Sequence, residues 1–248
     1  MASISRYVRD YGNKTFFEEP FNEIDNVVFS SLIYLNYEGI VPENRKYIRL
    51  EEAGIKYLEK YSYFEISKLG IAQKVSYQLL KQVVNTVRYK DVLMYNFKYI
   101  ADSDRQFGAV CFKVKKNFTY VAFEGTDNLL SGWKEDFELS YKFPVPAQTL
   151  AIEYINKRVR FYDKNVMVGG HSKGGNLALV SSMFAKKLVN KKIKKIYSND
   201  GPGLRKAEIE SDNYKRVRDR LIHIVPNYSY IGVLLRNDKF KVIKSTRR

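Results

Sequence analysis

Hydrophobic and polar residues alternate with helical periodicity in the first third of the chain. Apolar residues recur every three or four positions, the period of an amphipathic helix, at Phe21, Ile24, Val28, Leu32 and Leu35. Asn22, placed just before an acidic first turn, is typical of a capped helix start. Residues 50–60 and 71–87 show the same spacing, whereas residues 1–20 are expected to form a loose arm. The pattern therefore predicts a helical cap or covering region over residues 1–90.

The periodicity changes at Asp91, where short apolar runs begin to alternate with helical stretches. Strands are predicted over 92–100, 107–115, 118–123, 165–169, 193–198, 220–225 and 239–244. Helices are predicted over 151–162, 174–189 and near 212–219. Strands that alternate with helices favour a parallel sheet with crossover helices. The sequence thus predicts an α/β fold whose core occupies residues 91–248.

One junction in this pattern has the form of a nucleophile elbow. The apolar run 166–169 leads into Gly170-His171-Ser172-Lys173-Gly174, and a helical pattern follows. A G-x-S-x-G sequence between a strand and a helix is typical of a serine hydrolase, because the tight turn holds the serine hydroxyl at its tip. The same glycines also suit a strand-to-helix turn that has no chemistry. We take Ser172 as the candidate nucleophile.

A serine nucleophile needs hydrogen-bond donors for the oxyanion. One candidate is the backbone N–H of Lys173, the residue after the serine. The second is Thr126, which lies in Phe123-Glu124-Gly125-Thr126 at the end of a predicted strand. An ordinary strand-end turn is the alternative interpretation of that segment.

The acid and the base should follow the serine along the chain. Asp200 precedes Gly201-Pro202-Gly203 at the end of the next strand and is the candidate acid, although a turn also favours aspartate there. Asp127 and Asp136 are weaker candidates.

His223 is the candidate base because no other histidine follows Asp200. It lies within a predicted buried strand, where a structural histidine is the simpler interpretation. His171 is expected to point away from the serine hydroxyl and to support the loop, and the Lys173 side chain should also diverge from it.

The composition of the chain indicates which kinds of partner it could bind. The formal net charge is +16, which favours an anionic membrane surface as a peripheral partner, although a solvated basic surface is the simpler explanation. No nucleic-acid-binding motif is present, so no nucleic-acid partner is predicted.

Cys111 is the single cysteine and there are two histidines, so neither a disulfide nor a metal site is expected, and no cofactor is needed. Residues 1–20 have no leader pattern and no long apolar run occurs, so the cytoplasm is the expected location.

The sequence resembles the Mbeg1-like family, a branch of the α/β-hydrolases similar to class 3 lipases. The likeness rests on the elbow 170–178, the segment 123–126, Trp133 with Asp136, the segment 198–203 and the opening 21–25. It implies a lipase-like α/β-hydrolase core with esterase or lipase activity on a small-molecule or lipid ester. It also assigns an oxyanion role to Gly125 and Thr126.

The sequence departs from the family pattern in two places, and these departures leave two hypotheses about its activity. Residues 226–229 carry no carboxylate where class 3 lipases place their acid, and the chain ends at 244–248, where the family continues into a segment containing a histidine. The first hypothesis is a serine hydrolase. The second is a catalytically impaired hydrolase-fold protein, or a shortened product, that binds a lipid or a partner.

Overall fold

The computed structural model of the protein describes residues 4–102, 105–126 and 137–244. Its amino-terminal part is helical, with α1 Ile4–Tyr11, α2 Glu23–Leu32, α3 Leu50–Lys60, α4 Tyr63–Ser67 and α5 Ile71–Val83. The prediction of α3 is confirmed residue for residue. Asn22 caps α2 as predicted, because its side chain accepts a hydrogen bond from the N–H of Ile24 at 2.9 Å.

The prediction of a loose arm over residues 1–20 is wrong where α1 forms. Tyr7 and Val8 of this helix are buried. The Tyr7 hydroxyl accepts a hydrogen bond from the Asn22 amide at 2.7 Å and donates one to Asp25 at 3.3 Å. These contacts anchor α1 to the start of α2, and the partners lie too far along the chain for a local pattern to reveal them.

The strands form a single sheet within the described part of the chain. They are β1 Ile48–Arg49, β2 Leu93–Ala101, β3 Gln106–Lys115, β4 Phe118–Phe123, β5 Asn165–His171, β6 Ile193–Asn199, β7 Leu221–Pro226 and β8 Lys241–Ile243. Their order across the sheet is their order along the chain. Neighbours are antiparallel from β1 to β4 and parallel from β4 to β8.

Further helices connect the parallel strands: α6 Pro146–Arg158, α7 Lys173–Met183, α8 Lys187–Asn190, α9 Lys206–Ile209 and α10 Asp212–Lys215. Helix α6 begins five residues before the predicted start, because Pro146 occupies its first turn, where the missing N–H costs nothing. The single helix predicted over 174–189 is divided into α7 and α8.

Two hydrophobic cores lie on opposite faces of the sheet, as alternation along β4 requires. Tyr120 and Ala122 belong to the core shared with α2 and α5, whereas Val121 and Phe123 belong to the core shared with α6 and α7. A mostly parallel sheet is therefore flanked by helices, with a helical amino-terminal region on one face. This is the α/β-hydrolase-like fold that the sequence predicted. No helix among the described residues has both the length and the apolar character needed to cross a membrane.

Candidate active site

The backbone at Ser172 has an unusual conformation. The residue lies between the end of β5 and the start of α7 with φ 54° and ψ −131°, a region that non-glycine residues rarely occupy and that concentrates at functional sites. The Ser172 N–H donates to the carbonyl oxygen of Asn199 at 2.9 Å and so ties the turn to β6.

The glycines on either side of Ser172 are required by close backbone contacts. A Cβ atom on Gly174 would lie 2.3 Å from the carbonyl oxygen of Phe123, and one on Gly170 would lie 2.4 Å from the carbonyl carbon of Gly174. Real Cβ contacts do not occur at such distances, so any side chain would push α7 away from β4. The spacing of the motif is therefore explained by packing.

The Ser172 hydroxyl lies at the amino-terminal end of α7. The side chain is half-buried and makes no hydrogen bond with another described residue. The partial positive charge of a helix amino terminus favours negative charge developing beside it. The Lys173 ammonium is buried and lies 3.3 Å from the carbonyl oxygen of Gln106, so this side chain is directed toward the start of β3.

The segment that follows β4 lies beside the elbow. Phe123 pairs with Gly170 in the parallel ladder, which brings Gly125 and Thr126 to the same edge of the sheet as Ser172. A Cβ atom on Gly125 would lie 2.4 Å from the carbonyl oxygen of His171. Thr126 itself is half-buried. The weaker acid candidates Asp127 and Asp136, and Trp133, lie outside the described residues.

His171 is held by a residue that sequence reasoning missed. Its Nδ1 atom lies 2.9 Å from the hydroxyl of Tyr34, which follows α2. The residue is exposed to solvent, although many protein atoms lie around its ring. Loss of hydration among these protein atoms lowers the pKa of His171, and the negative charge of Asp200 raises it.

Asp200 follows β6 in a left-handed conformation with φ 55°. Its N–H donates to the carbonyl oxygen of Ile224 at 2.7 Å. Its carboxylate accepts hydrogen bonds from the Ser229 hydroxyl and from the Gly232 N–H, the latter at 3.1 Å. Asp200 therefore anchors the loop after β7, and its charge also acts on both histidines.

His223 is buried within β7, opposite Ser198 of β6. Its ring packs edge-on against Phe240 with 6.2 Å between centroids, and its Nε2 atom has no hydrogen-bond partner among the described residues. Burial lowers the pKa of His223, while the neighbouring Gly201 backbone and the Asp200 charge raise it. Within the described residues, no hydrogen bond joins His223 to Ser172 or Asp200.

A buried polar network supports the elbow from the amino-terminal region. The Asn199 amide donates to the carbonyl oxygen of Gly170 and to Asn26 Oδ1, each at 3.1 Å. Asn26 in turn donates to Asn199 Oδ1 at 2.7 Å, and Tyr120 donates to Asn26 Oδ1 at 2.6 Å. Sequence reasoning missed this network because its partners are separated by as many as 173 positions.

A second network fixes the loop after Asp200. The Asn176 amide on α7 donates to the carbonyl oxygens of Pro202 at 3.2 Å and Gly203 at 2.9 Å. Its own oxygen accepts a hydrogen bond from Gln148 of α6 at 2.8 Å. The elbow helix and the loop that carries Asp200 are thus held in a fixed relation.

An apolar cavity of about 220 Å³ opens beside this loop, lined by Phe137, Leu139, Ser140, Pro202, Ile231, Leu234 and Leu235. Exposed apolar side chains lie on the same two segments, at Phe137, Tyr141, Tyr230, Val233 and Leu234. The described residues contain no cluster of histidine, cysteine, aspartate and glutamate suited to a metal ion.

The chain is similar to a protein family and to a solved lipase structure. A family model described as Mbeg1-like matches residues 83–248. The crystal structure of M37 lipase is similar over 86% of this chain and 69% of that chain, with 13% sequence identity and a TM-score of 0.45. No curated protein matches the chain.

Proposed function

The chain belongs to the Mbeg1-like family, and we propose that it is a serine hydrolase that cleaves a carboxylic ester in the manner of an esterase or lipase. The observation that carries the proposal is the conformation of Ser172 at the tip of a turn whose flanking glycines admit no side chain. Strain of this kind costs roughly 1–3 kcal/mol and persists at functional sites.

In the proposed reaction, the Ser172 Oγ atom attacks the ester carbonyl carbon while a base accepts its proton. The oxyanion is held by the backbone N–H of Lys173 and by Thr126, assisted by the amino terminus of α7. The carbon–alkoxy bond then breaks, the alcohol leaves with the proton, and water hydrolyses the acyl-enzyme. We assign Asp200 as the acid or as an anchor near the site.

His223 is the proposed base, and burial keeps it neutral near pH 7, the form that accepts a proton. A base must come within about 3 Å of the hydroxyl it activates, although such contacts are often longer before substrate binds. The Nε2 atom of His223 has no hydrogen-bond partner among the described residues, which suits that role.

The surroundings of Ser172 favour an apolar substrate. The apolar cavity suits the acyl group of a lipid-like ester, because Pro202 on its wall lies two residues after Asp200. The exposed apolar side chains on the two segments that line the cavity suit peripheral contact with a membrane, and the net charge of +16 suits an anionic membrane. A cytoplasmic location, and a covering region over residues 1–90 beside a core over 91–248, are parts of the same proposal.

A catalytically impaired binding protein is the second candidate. It is favoured by the position of His223 inside β7, with no hydrogen bond to Ser172 among the described residues. A lipid or a partner protein would then occupy the apolar cavity without being cleaved.

A fluorophosphonate probe together with p-nitrophenyl esters separates the two candidates. We expect the wild-type protein to be labelled and to hydrolyse the esters, and the Ser172→Ala variant to do neither. Labelling without turnover would favour a nucleophile that lacks its base. The absence of both from the wild-type protein would refute the enzyme proposal.

A further inference from the structure

We propose that the protein has a second binding site, for a phosphate group carrying at least two negative charges, in a basic cavity remote from Ser172. The basic cavity has a volume of about 400 Å³, and five of its seven lining residues are cationic: Lys187, Lys191, Lys194, Arg216 and Arg220. This inference goes beyond the proposed hydrolase function and does not depend on it.

The basic cavity lies at the amino-terminal edge of the parallel strands. Ile193 on its wall is the first residue of β6, and Arg220 immediately precedes β7. Ser172 follows the carboxyl end of β5, which is the opposite edge. A strand rises about 3.3 Å per residue, so the length of β6 separates the two sites by about 20 Å. A ligand in the basic cavity is therefore not a substrate of Ser172.

Among the described residues, the cationic residues of the basic cavity have no carboxylate partners. No carboxylate lines the cavity, and none of the five cations forms an ion pair among the described residues. Nearby basic residues outside the cavity do form such pairs: Lys215 with Asp212 and Arg218 with Asp219. The described carboxylates therefore do not offset the positive charge of this cavity, and a bound anion would relieve the repulsion between its like charges.

The two arginines are already oriented by the protein backbone. The Arg220 guanidinium donates to the carbonyl oxygens of Asn190 and Ile193, each at 2.7 Å. Arg216 donates to the carbonyl oxygen of Met183. Burial and the Arg216 charge lower the pKa of Arg220, which agrees with two close like charges.

The charge pattern selects phosphate among anions. Among the described residues, Arg216 donates only through Nη2, so its other N–H groups can match the oxygens of a phosphate. Both terminal nitrogens of Arg220 already donate to protein oxygens, so Arg220 contributes charge, and the exposed lysines add mobile positive charges around the phosphate. Five uncompensated cations exceed what a single carboxylate can neutralise. A phosphomonoester or pyrophosphate group fits better, whether it belongs to a soluble molecule or to a lipid headgroup.

The test compares two double variants that remove equal charge. Lys187→Gln with Lys191→Gln removes two exposed cations from the basic cavity, and Lys81→Gln with Lys239→Gln removes two exposed cations elsewhere. Neither change touches the hydrogen bonds of Arg216 and Arg220. Calorimetric titration of each full-length protein with inorganic pyrophosphate measures the affinity, and the Ser172→Ala variant serves as a further control.

We expect the cavity variant to bind pyrophosphate about tenfold or more weakly than wild type, and the control variant and Ser172→Ala to bind within about twofold of wild type. Flotation with vesicles of phosphatidylcholine and phosphatidic acid identifies the source: cavity-dependent flotation that pyrophosphate abolishes indicates a lipid headgroup, and pyrophosphate binding without flotation indicates a soluble ligand. Equal losses in both double variants would overturn the proposal in favour of a diffuse polyanion surface, as for RNA. The absence of pyrophosphate binding to wild type would overturn it outright.

Discussion

The buried ion pair between Arg88 and Asp25 provides a direct test of what stabilises the fold. Both side chains are fully buried, and Arg88 donates to both carboxylate oxygens, at 2.8 and 2.6 Å. In Arg88→Met, the apolar stem is retained while the Asp25 charge loses its counter-ion. Removing one partner of a buried pair costs about 3–5 kcal/mol. We therefore expect the free energy of unfolding to fall by that amount.

Two further contacts of Arg88 support the upper part of that range. Its guanidinium lies 4.2 Å from the centroid of the Phe16 ring, and it donates to the carbonyl oxygen of Glu19 at 3.0 Å. A desolvated cation–π contact contributes about 2 kcal/mol. The Tyr89 hydroxyl also donates to Asp25, at 2.6 Å, and this bond does not involve Arg88, so it limits the loss to within the stated range.

Urea denaturation followed by circular dichroism measures this loss. We expect the midpoint to fall by on the order of 1–2 M with an unchanged slope. The matched control is Arg49→Met, because Arg49 is half-exposed and pairs with Glu51 at 3.3 Å and Asp91 at 3.5 Å. Exposed pairs contribute about 0–1 kcal/mol. If Arg88→Met costs no more than Arg49→Met, the pair does not hold the amino-terminal region together and the reasoning fails.

Three further predictions concern single groups. Burial raises the pKa of the Cys111 thiol to about 11, so Cys111 should react with Ellman's reagent at pH 8 only after unfolding. Burial lowers the pKa of His223 in the folded state, so the unfolded state binds the proton more readily, and stability should fall as pH drops through about 6.5. His223→Gln should make the urea midpoint depend less on pH between about 7 and 5. Asn26→Ala removes a support of Asn199, so it should slow fluorophosphonate labelling of Ser172 about tenfold through displacement of the elbow.

Each of these predictions has a contrary outcome. Rapid reaction of native Cys111 would mean that its strand is open to solvent. An unchanged pH slope in His223→Gln would assign the acid sensitivity to other groups, of which His171 is one. For the labelling assay, Asn13→Ala is the control because Asn13 is exposed. Equal labelling rates in the two asparagine variants would show that the buried network does not position Ser172.

The parallel half of the fold was predictable because its signals are local. The apolar run before Gly170 and the glycine spacing around Ser172 are imposed by the strand and by the contacts of Gly170 and Gly174 with neighbouring backbone. A single short segment carries that information. For the same reason, the predicted strand over 118–123 matches β4 at both ends.

The support around the candidate site was not predictable from local patterns. Tyr34 reaches His171 across 137 positions and Asn26 reaches Asn199 across 173. Neither residue stands out in its own segment, since Tyr34 is one of 20 tyrosines. The contacts of the His223 ring were also not predictable, because a strand pattern predicts that the ring is buried but not which residues it contacts.

The sequential order of the strands has a consequence for the amino-terminal helices. Connections between parallel strands are right-handed in nearly all proteins, so strands laid down in one direction send every crossover helix to the same side of the sheet. That side is the core containing Tyr154 of α6 and Leu177 of α7. The opposite side, with Phe112 and Tyr120, receives none of the described crossover helices and is closed by α2 and α5. A fragment starting at Asp91 would therefore leave an aromatic sheet face open to water, and aggregation is its expected fate.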